Sequence, residues 1–134
     1  VLGETLIKYF YAEDAFERVK EIVRTLQPEL SHIDLKRILV VRSIGSKSRA
    51  LARIHGFPRI YAFATGIKPF YIIELISERY DKLPEEEKDK VLIHELLHIP
   101  RNFTGGLRPH GKYVNGRVVN QLYGKFKERR NSKT

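Results

Sequence analysis

Residues 91–99 read Val91-Leu92-Ile93-His94-Glu95-Leu96-Leu97-His98-Ile99, and the rest of the chain is best understood outward from them. His94 and His98 are four apart, so on a helix they share one face and can offer two imidazoles to a single divalent cation. At roughly 100° per residue, Glu95 projects about 60° around the axis from His98, near enough to reach a water on that ion. Zn²⁺ lowers the pKa of such a water, and a neighbouring carboxylate can take its proton as it attacks a carbonyl. The competing reading satisfies all three side chains with hydrogen bonds in a core or at a half-exposed edge. Against it stand Val91, Leu92, Ile93, Leu96, Leu97 and Ile99, which mark a buried central helix. In such a helix each polar group costs on the order of several kcal/mol of desolvation unless something engages it.

The helix has clear ends. Pro84 suits a first helical position, and Glu85, Glu86 and Glu87 behind it complement the positive end of the dipole. Pro100 stops it, which predicts a helix to about Ile99. Upstream, Ala15, Val19, Ile22, Val23 and Leu26 recur at three- and four-residue spacing, predicting an amino-terminal helix over 11–26 that Pro28 ends. Ile38-Leu39-Val40-Val41 is a short apolar run typical of a buried strand, with a turn or loop over 43–49. Residues 50–58 are ambiguous between strand and short helix. Alternation over 59–64 predicts a second strand, and 70–76, rich in β-branched and aromatic residues, a third. Past Pro100, 101–112 reads as a loop containing Gly105-Gly106 and Pro109. A last helix is expected from about Val114 to Arg130, with Val118, Leu122 and Phe126 on one face and a frayed end over 131–134. The expected fold class is α+β: an amino-terminal helix, a small three- to four-stranded sheet, the H-E-x-x-H helix and a carboxy-terminal helix.

The 134 residues suit one domain with a real core, and 42% hydrophobic content argues for a folded chain. No apolar run approaches the roughly 20 residues of a membrane span, and no basic-then-apolar leader opens the sequence. A cytoplasmic location is the default expectation. With no cysteine, any metal is held by nitrogen and oxygen. Abundant Glu, Lys, Arg and Ile with few thermolabile residues resemble a heat-adapted protein. The net charge of +9 is uneven. Segments 36–59 and 101–134 are strongly basic, while 60–100 is acidic. Such blocks suit a polyanion partner, nucleic acid above all, or else form a solvated basic surface.

A catalytic zinc usually has three protein ligands. His110 follows His98 beyond a glycine-containing loop able to turn the chain back, and is the preferred third ligand; Glu128 competes but sits among Lys125, Lys127, Arg129 and Arg130. His32 and His55 read as surface or hydrogen-bonding residues. The metzincin pattern is excluded, since Arg101 and Thr104 stand where it needs glycine and histidine.

The stretch from Glu74 to His110, with Ile93-His94-Glu95-Leu96-Leu97-His98-Ile99-Pro100 and Arg108-Pro109-His110, resembles the small zinc metallopeptidases of archaea and phages, and more distantly the SprT-like group. The likeness covers about the last half of the chain plus the element order. It implies a minimal zincin fold with His94, His98 and His110 as Zn²⁺ ligands and Glu95 as base. By the same resemblance, 59–64 would be the edge strand that pairs with an extended peptide substrate. Tyr113, Arg108 and Asn102 lie near the ligands in sequence and are candidate donors to a developing oxyanion. The leading expectation is a zinc-dependent peptidase acting on a peptide or protein. The alternative is a basic nucleic-acid-binding module on a zincin-like fold with a structural or vestigial metal site, and a protease associated with DNA would combine the two.

Overall fold

Two apolar strands lie side by side at the centre of the sheet. A computed structural model describes residues 6–132. In it, β2 (Ile38–Ile44) runs parallel to β4 (Tyr71–Ile76), with Ile38 opposite Tyr71 and Val40 opposite Ile73. Parallel neighbours need a crossover, and the chain between them supplies one that carries β3 (Ala52–His55). β3 turns back antiparallel onto the far side of β4, while β1 (Lys8–Tyr11) pairs antiparallel with β2. The strand order is therefore β1-β2-β4-β3, leaving β3 as an edge.

Period-two alternation buries Ile38, Val40, Ile73 and Leu75 in the core. Glu74 points to the opposite face, yet it is only 4% exposed. Its Oε1 lies 2.8 Å from His55 Nε2 and 3.3 Å from Arg53 Nε, so the central strand grips the edge strand through a carboxylate.

Three helices complete the core with the sheet. α1 (Glu13–Thr25) contributes Ala15, Val19, Ile22 and Val23, the stripe expected from its spacing. α4 (Glu85–Leu97) carries the H-E-x-x-H segment and buries Leu92, Ile93 and Leu96 completely. Each such side chain favours the folded state by about 1.5–3 kcal/mol. α5 (Gly116–Asn131) buries Val119, Leu122 and Phe126, and starts where the Asn115 side chain accepts a hydrogen bond from Val118 N at 2.9 Å. α1 and α4 are joined by a two-pronged ion pair: Arg18 Nε and Nη2 donate to Asp89 at 2.7 and 2.9 Å.

The α+β expectation is met, with differences in detail. Residues 59–64 do not form a strand. Pro58 and Gly66, the latter left-handed at φ 71°, bracket a helix, α2 (Arg59–Thr65). None of its residues is buried, so its apolar alternation meets no sheet partner; Phe63 is 90% exposed. β3 occupies the edge that those residues were expected to fill, and β1 adds a strand within the span expected to precede the sheet. The stretch after β4 forms a single turn, α3 (Ser77–Tyr80). α4 ends at Leu97, placing His98 at its C-cap. The expected fraying over 131–134 falls partly outside the described residues: Asn131 still belongs to α5, and 133–134 are not described. No helix among the described residues is long and apolar enough to cross a membrane.

Candidate metal centre

The end of α4 carries exposed carbonyls that a helix leaves without partners, and the loop after Pro100 satisfies them. Arg108 Nε and Nη2 both donate to Leu97 O, at 3.1 and 2.9 Å, and Arg108 N donates to His98 O at 2.7 Å. His32 Nε2 lies 3.1 Å from Ile99 O. These contacts fold the loop back against α4 and bring His110 beside the two helical histidines.

A second clasp acts further along the loop. Gly105 N donates to the Tyr71 hydroxyl and that hydroxyl donates to Gly106 O, both at 2.8 Å. Phe57 N donates to Gly105 O, also at 2.8 Å. The approach needs glycine on both sides. Gly105 has φ +99°, a Cβ there would strike the Phe57 carbonyl, and a Cβ on Gly56 would strike Gly105 O. Phe103 packs edge-on against Tyr71 with ring centres 4.8 Å apart.

The result is a cluster of three imidazoles. His94 Nε2 lies 3.0 Å from His110 Nε2 and 3.3 Å from His98 Nε2, and one ring nitrogen from each falls within 4.8 Å of the others. His98 Nδ1 donates to Arg108 O at 2.6 Å, which leaves Nε2 as the bare lone pair. Burial first, then the neighbouring His98 and His110, holds His94 below the ordinary imidazole pKa, so its lone pair is free for a cation.

Glu95 is 6% exposed and its carboxyl makes no hydrogen bond or ion pair with the described residues; burial alone pushes that carboxyl up to about 7. It borders, together with His94, a cavity between α4, α5 and the start of β3.

The donor set fits a zinc ion. Two nitrogens each about 2.0–2.1 Å from one ion in tetrahedral geometry lie about 3.3–3.4 Å apart, close to the 3.0 and 3.3 Å that separate His94 Nε2 from His110 and His98. All three donors are imidazole nitrogens, and one imidazole is already oriented through its other nitrogen.

Other candidates lie elsewhere. Glu128 is not among the converging groups, His55 binds Glu74 and His32 binds the Ile99 carbonyl. Of the suggested oxyanion donors, the Arg108 guanidinium is committed to Leu97 O, and Asn102 Oδ1 accepts from Thr104 at 3.1 Å. Tyr113 is exposed beneath the Arg108 guanidinium, 5.0 Å from its ring centre. Many cations of the basic blocks are tied down internally. Arg129 and Lys125 bind Glu29, Arg42 binds Asp14 and Asp81, and Arg37 binds Asp34. The clasping roles of Tyr71 and Arg108 were missed in the sequence; the Gly105-Gly106 pair was their only local signal.

No curated protein and no solved structure matches the chain significantly. A family model described as "Putative phage metallopeptidase" matches residues 7–128, which span every strand and helix that builds the cluster. The chain belongs to that metallopeptidase family.

Proposed function

We propose that the protein is a zinc-dependent peptidase in which His94, His98 and His110 hold Zn²⁺ and Glu95 is the general base. The observation that carries this reading is the convergence of three imidazole nitrogens beside a buried carboxyl group with no partner among the described residues. A bound zinc ion supplies Lewis-acid polarisation of the scissile carbonyl and a more acidic water.

The chain's own groups supply the rest. The Glu95 carboxylate takes a proton from the attacking water and delivers it to the departing amine nitrogen. The Arg108 carbonyl holds the His98 ring in one tautomer and orientation. β3 takes the part that had been expected of 59–64. Among the described residues it pairs only with β4, which leaves its other edge for strand addition by an extended peptide, and residues 51 and 52 share a cavity wall with His94 and Glu95. Strand addition binds the peptide through main-chain hydrogen bonds whatever its sequence.

The test is cleavage of a quenched-fluorescence peptide mixture by zinc-loaded protein and by its Glu95→Gln variant. The variant is expected to lose activity by roughly 10²–10⁴-fold while retaining zinc. A variant as active as the parent removes Glu95 from the chemistry, and a parent that cleaves no peptide refutes the peptidase reading.

A further inference from the structure

The cavity beside Glu95 has a volume of about 330 Å³, at the small end for a ligand site and suited to one side chain. Its walls come from three elements. Leu51 and Ala52 close it at the start of the edge strand, Val91 on α4 stands one turn before His94 and Glu95, and Val119 faces them from α5. Val119 is buried, and Leu51 is an exposed apolar residue at the mouth.

The charges at its rim cancel. Lys90 Nζ lies 3.8 Å from Glu87 Oε1 and 5.3 Å from the Tyr123 ring centre, so this cation is held against its own neighbours. Among the described residues no unpaired cation lines the cavity to receive an acid. Burying a charged side chain there without a partner is unfavourable.

We propose that this cavity receives an apolar side chain of leucine to phenylalanine size from the substrate residue adjoining the cleaved bond, and that Gly116 sets its depth. The assignment rests on the peptidase reading, because only then does the wall formed by His94 and Glu95 place that residue next to the reacting bond. Gly116 is the first residue of α5 and lines the cavity, and a Cβ built on it would meet nothing within 4 Å. A larger side chain at this position therefore enters open space instead of displacing its neighbours.

Two measurements test the proposal. The first profiles cleavage of peptides that vary at the residues flanking the bond. At one flanking position, leucine and phenylalanine should exceed glycine and aspartate by about tenfold or more in kcat/KM. Gly116→Leu should lower the phenylalanine-to-alanine ratio at that position by about tenfold. The second titrates methyl-labelled Glu95→Gln protein with N-acetyl-phenylalanine amide and N-acetyl-aspartate amide. Only the phenylalanine compound should shift the Leu51, Val91 and Val119 methyl resonances.

Peptide cleavage without side-chain preference, or a preference untouched by Gly116→Leu, overturns the pocket assignment and leaves the peptidase reading standing. Methyl shifts without any cleavage support the cavity as an apolar side-chain site and remove the peptidase reading. Absence of both refutes the two together.

Discussion

Tyr71→Phe removes a single oxygen from the loop that carries His110. Tyr71 is 0% exposed, and its hydroxyl accepts from Gly105 N and donates to Gly106 O, each at 2.8 Å. Phenylalanine keeps the ring and its packing on Phe103, so no large cavity opens. The whole cost is then polar. A net hydrogen bond contributes about 0.5–1.5 kcal/mol, and a buried donor left without a partner costs about 1–3 kcal/mol. Relief at Gly106 O, where solvent can approach, places the expected total near 2–3 kcal/mol. Urea denaturation of metal-free protein reads it as a lower midpoint with an unchanged slope. If the clasp also pre-positions His110, part of the same energy appears in metal binding, at about tenfold in zinc affinity per 1.4 kcal/mol. Competition with a chromophoric chelator reads that part. A stability loss below about 0.5 kcal/mol together with an unchanged zinc affinity would refute the idea that this hydroxyl organises the loop.

Asp89→Asn strikes the link between α1 and α4. Its carboxylate is 3% exposed and takes both prongs of Arg18, so removing the charge leaves a half-buried guanidinium underpaired. Loss of one partner from such a pair costs about 3–5 kcal/mol, and Glu21 at 3.1 Å from Arg18 moves the expectation to the lower end. Thermal unfolding in parallel with an Arg18→Met, Asp89→Leu double variant checks it, since the double variant should recover most of the loss. Acid stability has a defined sign. The Arg129 guanidinium holds Glu29 down to about 2 from its ordinary 4.5, and Arg42 holds Asp14 down to about 2 from 3.8. Carboxyls depressed on folding stabilise the protein above their unfolded pKa and lose that contribution as pH falls through the folded one. Stability should therefore decline between about pH 4.5 and pH 2, and Glu29→Gln should flatten that decline in urea titrations run across the same interval.

The parts of the fold that local chemistry determines were legible in the sequence. Pro84, the three glutamates behind it and Pro100 delimit α4, and the apolar runs 38–41 and 70–76 do become the two central strands. The histidine spacing placed His94 and His98 on one face, and a flexible loop length sufficed to nominate His110. What the sequence left open or misassigned was decided by tertiary pairing. Ala52–His55 is four residues long and only partly covered, so its strand character comes from β4 beside it. Residues 59–64 alternate as a strand does, but they lie between Pro58 and the left-handed Gly66 as a short helix that buries none of its residues. The clasps by Tyr71 and Arg108 bridge more than thirty and about ten residues respectively, and the Gly105-Gly106 pair alone does not name their partners. The cavity beside Glu95 draws on three separate elements and was invisible for the same reason.

The most direct test of the central claim is the metal itself, measured by elemental analysis and X-ray absorption on purified protein and on His110→Ala. One zinc per chain with three imidazole nitrogens at about 2.0 Å, and loss of one nitrogen and most of the affinity in the variant, is the predicted result. A protein that takes up no zinc, or a His110→Ala variant that binds it as tightly with the same coordination, would contradict the account.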